Sequence, residues 1–84
     1  MSFHTYILHC ADDTLYVGST TDLARRLVEH NTKKTGAHYT KIRRPVRLVH
    51  SESFDTLPMA RSREREIKKL SRSQKLKIFR DILL

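Results

Sequence analysis

The chain has 84 residues and a net charge of +8, from 17 Lys and Arg against nine Asp and Glu. A chain this short makes one domain, 1–84, with a modest core, because it buries only about 60% of its unfolded surface. Its composition, 38% hydrophobic and 31% charged, excludes a disordered or fibrous chain; its apolar runs stay below the roughly 20 residues of a membrane span, and its single cysteine, Cys10, excludes an internal disulfide and a Cys-rich zinc site.

Phe3 to Cys10 is rich in aromatic and β-branched residues and reads as a strand. Ala11-Asp12-Asp13 reads as the turn, since Asp tolerates a left-handed backbone, and Leu15 to Gly18 as the returning strand. A three-residue loop, 11–13, sets position 8 opposite 16 and position 6 opposite 18. Tyr6 and Tyr16 then share a face as diagonal neighbours, about 7–8 Å apart at the backbone. A loop one residue longer would put them on opposite faces.

Thr20 or Thr21 is the expected cap of a helix with Asp22 in its first turn. Leu23, Leu27, Val28 and Asn31 give it a core-facing stripe to about residue 32. Lys33 to Arg44 has no clear period and reads as a basic loop ended by Pro45. Val46 to Phe54 reads as a third strand, with Val46, Leu48 and Phe54 of one parity. A second helix starts near Pro58, which suits a first turn, with Met59, Ala60, the stem of Arg63, Ile67 and Leu70 in one stripe. Ser71 to Gln74 has the spacing of a capping box and opens a third helix whose Leu76, Phe79, Ile82 and Leu83 face the core. The order ββαβαα predicts an α+β domain, a small three-stranded antiparallel sheet flanked by three helices.

Charge is unevenly placed. Residues 33–51 hold six basic and no acidic side chains, and residues 61–84 hold nine basic and three acidic ones. Two positive blocks of this kind suit a polyanion, above all nucleic acid. Lys33, Lys34, His38, Lys41, Arg43 and Arg44 are the expected phosphate contacts, extended by Lys68 and Arg72. The plainer reading is a solvated surface that keeps the protein in solution. An amphipathic last helix also has the pattern of a membrane-surface anchor, but the core of a small domain accounts for that stripe more simply, so no membrane is expected.

Five side chains are candidates for chemistry. Tyr6 and Tyr16 are phenols with an ordinary pKa of about 10, able to relay or accept a proton near a cation; for either one alone, packing is the plainer reading. Arg26 and His30 stand one turn apart on the first helix. Arg26 suits a phosphate or its developing charge, and His30 a proton shuttle or phosphate donor; a solvated helix face is the competing reading. Arg25 is the poorer candidate because Glu29 lies at i+4. Glu64 offers hard oxygen ligands for Mg²⁺, or an ordinary helical pair with Lys68.

The order of these pieces resembles the GIY-YIG nuclease superfamily, and the resemblance covers nearly the whole chain. Tyr16-Val17-Gly18 stands for the YIG element, and His4-Thr5-Tyr6 keeps the tyrosine of the GIY element. The arginine and the later histidine of the following helix match Arg26 and His30, and the helical glutamate matches Glu64 in MARSREREIKKLSRSQK. The segment ADDTLYVGSTTDLARRLVEHN is similar to the short stand-alone bacterial branch. The first motif lacks its glycine and isoleucine, Ser19 stands where some members carry lysine, and no asparagine follows Glu64 as it does in many members.

The resemblance implies phosphodiester hydrolysis in DNA, structured or single-stranded, with one divalent ion, Mg²⁺ or Mn²⁺, held by Glu64. One of Tyr6 and Tyr16 would help activate the water and the other orient it; Arg26 would stabilise phosphate charge and His30 assist. A cytoplasmic protein is expected, because the start MSFHTY lacks a secretion signal and a lone cysteine suits a reducing compartment. Substrate choice falls to the basic segment or to a protein partner for targeting. The alternative to an endonuclease is a non-catalytic nucleic-acid-binding module that keeps the fold.

Overall fold

The computed structural model describes residues 2–32 and 38–80, the last of these by its backbone alone. Strand β1 (Phe3–Cys10) turns at 11–13 into β2 (Leu15–Thr20); helix α1 (Leu23–Thr32), a single turn α2 (His38–Lys41), strand β3 (Val46–Phe54), and helices α3 (Leu57–Lys68) and α4 (Arg72–Arg80) follow. The expected ββαβαα order holds, with α2 added inside the basic segment. The sheet is antiparallel in the order β2-β1-β3, so β1 lies at its centre and β2 and β3 are its edges.

The turn behaves as its residues dictate. Asp13 takes a positive φ of 68°, and its amide donates to Cys10 O (2.9 Å) while the Cys10 amide donates to Thr14 O (2.9 Å). Tyr6 is therefore paired with Gly18 and Leu8 with Tyr16, the register that places both tyrosines on one face. Side chains lock the turn in place: Asp12 accepts from the Thr14 hydroxyl (2.6 Å) and pairs with Arg43 (2.9 Å), while Asp13 pairs with Arg72 at the start of α4 (3.0 Å).

Each face of β1 carries its own cluster. Tyr6, Leu8 and Cys10 pack with Val46 under Tyr16, Leu23, Leu27 and Tyr39. Ile7 packs with Val17 and Ile67 under Leu15, Val49, Ile78 and Phe79. Thr5, on the second face, donates to Ala60 O (2.6 Å) and ties α3 to the sheet.

Four expectations need correction. Asp22, rather than Thr20 or Thr21, caps α1: its carboxylate accepts from the Arg25 amide (3.1 Å), because α1 begins at Leu23 and the capping oxygen reaches the third helical amide. Val28 and Met59 leave their predicted core stripes and are about half exposed; a three-stranded sheet is too narrow to cover a full stripe on either helix. Val46 and Leu48 do not share a face with Phe54. Leu8 pairs with Leu48 but Ile7 with His50, so Val49 is an extra residue, and a one-residue bulge reverses the parity beyond it.

The helix starts follow the sequence. Thr56 caps α3, accepting from the Met59 amide with Pro58 in the first turn. Ser71 and Gln74 form the reciprocal capping box of α4, each side chain accepting from the other's amide (2.9 and 3.2 Å). Of the predicted stripe of α4, Phe79 joins the second cluster, whereas Ile82 and Leu83 lie outside the described residues.

Candidate active site

The site grows from the meeting of β1 and β2 with α1. Tyr6 points to the α1 face directly across from Gly18. A Cβ added at Gly18 would lie 2.5 Å from the Tyr6 hydroxyl oxygen and 2.7 Å from its Cζ, so the lack of a side chain there is what lets the phenol lie across β2. Tyr16 sits beside it, ring centres 6.4 Å apart.

His30, near the end of α1, closes the group from above. It is fully buried, with its ring 5.8 Å from that of Tyr6 and 5.0 Å from that of Tyr16. Its Nε2 is 2.8 Å from the Tyr6 hydroxyl and its Nδ1 is 2.7 Å from Thr40 Oγ1. Arg44 holds the end of α1 by donating to His30 O (2.5 Å) and Glu29 O (3.3 Å). Asn31, next to it, fixes the start of β3: it donates to Val46 O (2.9 Å) and accepts from Val46 N (2.7 Å).

Arg26, one turn before His30, pairs with Glu29 (3.2 Å), and its guanidinium favours the ionised form of the Tyr6 hydroxyl. Burial pushes the Tyr6 phenol up to about 12, against the opposing pull of that guanidinium. Burial and the neighbouring Arg26 charge hold His30 down at about 4. At neutral pH the site therefore holds a neutral phenol, a neutral imidazole and a cationic guanidinium.

Glu64 arrives from the opposite side of the sheet. On α3, it accepts from the Ser19 hydroxyl at Oε1 (2.6 Å) and from Lys68 at Oε2 (2.6 Å). Ser19 follows Gly18 on β2, so the carboxylate and the Tyr6 hydroxyl approach the same edge of β2 from its two faces. Burial raises the Glu64 carboxyl, but the hydrogen bonds from Lys68 and Ser19 outweigh it and leave the group below the usual range. An ionised, partly exposed carboxylate fits a hard divalent cation, which takes one or two protein carboxylates and completes its shell with water and substrate phosphate. Among the described residues no three His, Cys, Asp or Glu gather in a metal-binding group; Glu64 is a carboxylate at this edge.

Tyr6, Tyr16, Arg26, His30 and Glu64 thus converge from four elements. The phosphate-contact candidates are more scattered. His38 and Lys41 are exposed on α2, and Lys33 and Lys34 lie outside the described residues. Arg43 lies over the Tyr39 ring at 3.8 Å and donates to Tyr39 O (3.1 Å), so both it and Arg44 already serve the fold. Sequence reasoning did not single out Thr40 or Tyr39. Tyr39 stacks near Tyr16 with ring centres 5.9 Å apart, and neither residue announces itself in a segment without periodicity.

The arrangement sets an arginine, paired phenols and a histidine on one face of β2 and a helical glutamate on the other. The sequence profile of the GIY-YIG catalytic domain matches residues 2–77, and the chain belongs to that family. Its similar relatives are UPF0213 proteins. That of Syntrophus aciditrophicus is 52% identical over 77 residues, 92% of this chain and 88% of its own; that of Halobacterium salinarum is 51% identical over 76 residues, 90% and 97%, so the group extends to archaea. Two solution structures share the fold. The UPF0213 protein BH0048 of Bacillus halodurans has a TM-score of 0.59 at 41% identity, covering 93% of this chain and 82% of that one. Protein EF2693 of E. faecalis has a TM-score of 0.66 at 42% identity, covering 98% and 86%. Among the described residues no helix is long and apolar enough to cross a membrane.

Proposed function

We propose that this protein is a metal-dependent endonuclease that hydrolyses phosphodiester bonds in DNA, acting as a single domain in the cytoplasm on structured or single-stranded substrates in repair or recombination. The observation that carries the reading is the convergence on one strand edge: the Tyr6 hydroxyl bonded to His30 (2.8 Å) on one face of β2, and Glu64 held by Ser19 (2.6 Å) on the other.

Arg26 binds the scissile phosphate and offsets the charge that builds on it during attack. Tyr6 and Tyr16 line up the attacking water, and His30 keeps Tyr6 oriented. Glu64 would hold Mg²⁺ or Mn²⁺, which supplies Lewis-acid polarisation of the phosphate and a more acidic water. Lys68, half-exposed in its pair with Glu64, would give up that carboxylate to the ion, since a surface-type pair is worth about 1 kcal/mol or less. His38 and Lys41, with Lys33, Lys34 and Arg72, track the backbone. A domain this small has little surface for reading base sequence, so strand geometry selects the substrate.

One observation favours a second reading, a nucleic-acid-binding module without catalysis: both Glu64 oxygens already have protein donors. Incubation with single-stranded, duplex, flapped and four-way DNA in Mg²⁺ or Mn²⁺ separates the two. Cutting that stops with chelator and with Glu64→Ala supports the nuclease. Salt-sensitive binding without cutting of any substrate supports the module.

A further inference from the structure

We infer that Thr40 is a positioning residue for the catalytic group: it fixes His30 in the Nδ1–H tautomer, which turns the Tyr6 hydroxyl proton inward and leaves a phenol lone pair facing the reacting water. The inference rests on the nuclease reading for its function; its structural basis is the hydrogen-bonded chain Tyr6–His30–Thr40.

The chain of donors settles the direction. Arg26 carries only donors, so toward that guanidinium the phenol oxygen can only accept. The Tyr6 proton, in a side chain 2% exposed, then needs an acceptor, because a buried hydroxyl without a partner is costly. His30 Nε2 lies 2.8 Å away. A neutral imidazole that accepts at Nε2 carries its proton on Nδ1. That proton points at Thr40 Oγ1, 2.7 Å away, in a residue that is itself fully buried.

The direction of titration separates orientation from relay. A phenol pushed up to about 12 does not pass its proton to an imidazole held down at about 4, so the proton stays on Tyr6. With the O–H turned inward to His30, the lone-pair side of the Tyr6 oxygen is left for the Arg26 guanidinium and for a water at the β2 edge. Thr40 touches no substrate in this scheme. It acts through His30, from the single turn α2 inside the basic segment.

The test is ¹⁵N NMR of the His30 ring in the full-length protein at neutral pH, without metal or DNA. The wild type should show a protonated-type shift at Nδ1 and an unprotonated-type shift at Nε2. Thr40→Val, which keeps the shape and deletes the hydroxyl, should shift the ring toward the other tautomer, and Thr40→Ser should restore the wild-type pattern. In single-turnover cleavage, Thr40→Val should lower kcat roughly 10- to 100-fold with KM little changed, and Thr40→Ser should recover it. An Nε2–H tautomer in the wild type overturns the inference with no variant needed. So does a His30 spectrum unchanged by Thr40→Val. The predicted tautomer in a protein that cuts no DNA would retain the positioning and refute the nuclease instead.

Discussion

The two faces of the central strand show how one small sheet serves stability and chemistry at once. Toward α3 and α4, β1 buries Ile7 against Val17 and Ile67, and its buried hydroxyl, Thr5, is spent on a backbone carbonyl. Toward α1, the alternate residues bury Tyr6, Leu8 and Cys10, and three buried polar groups, Tyr6, His30 and Thr40, are joined hand to hand. The first face is held by hydrocarbon contact, which is insensitive to angle and to pH. The second adds to its apolar packing a chain of hydrogen bonds that fails unless every partner is in place. Damage to the first face should lower the folded fraction, and damage to the second should lower what each folded molecule can do.

Ile67→Ala should give the largest loss of stability, about 4 kcal/mol in urea unfolding, since Ile67 is fully buried. The folded fraction should keep the wild-type His30 spectrum; a changed tautomer would mean the two faces are not separable. Next comes acid. In the unfolded chain an imidazole titrates near 6.5, while folded His30 titrates near 4. Below 6.5 the unfolded state binds the extra proton, so stability falls as pH drops from 6.5 toward 4. The loss should reach about 3 kcal/mol. Calorimetry across that window should show the slope, and His30→Gln should flatten it; an unchanged slope in the variant would move the titration elsewhere.

Gly18→Ala sharpens the contrast further, because its methyl would press on the Tyr6 ring from β2. We expect about 2 kcal/mol of destabilisation together with a loss of cleavage well beyond the folded fraction. Wild-type activity per folded molecule would show that Tyr6 need not lie across Gly18. The smallest effect belongs to Asp22→Ala, which removes the cap of α1 at its far end from His30. About 1 kcal/mol should be lost in thermal unfolding, with the site unaltered.

Much of this was legible in the residues. Asp12 and Asp13 announce a turn, and its three-residue length, which the residues left open, decides that Tyr6 and Tyr16 share a face. Pro58 after Thr56 and the Ser71–Gln74 spacing announce the starts of α3 and α4. The depth of His30 was not legible: spacing puts it beside Arg26, but its burial depends on α2 folding over it. Thr40 was hidden for the same reason, since one helical turn has no period to detect. The bulge at Val49 leaves no residue signature, and it reversed the face of Phe54.

The central claim is that Tyr6 and Glu64, brought to one edge from opposite faces, act as a single catalytic unit. Single-turnover cleavage in Mg²⁺ by wild type, Tyr6→Phe, Glu64→Gln and the double variant tests it most directly. Groups that act together lose their effect together, so the double variant should be no slower than the worse single one, with all four proteins folded by thermal melt. Losses that multiply, or two single variants that cut at the wild-type rate, would contradict the account.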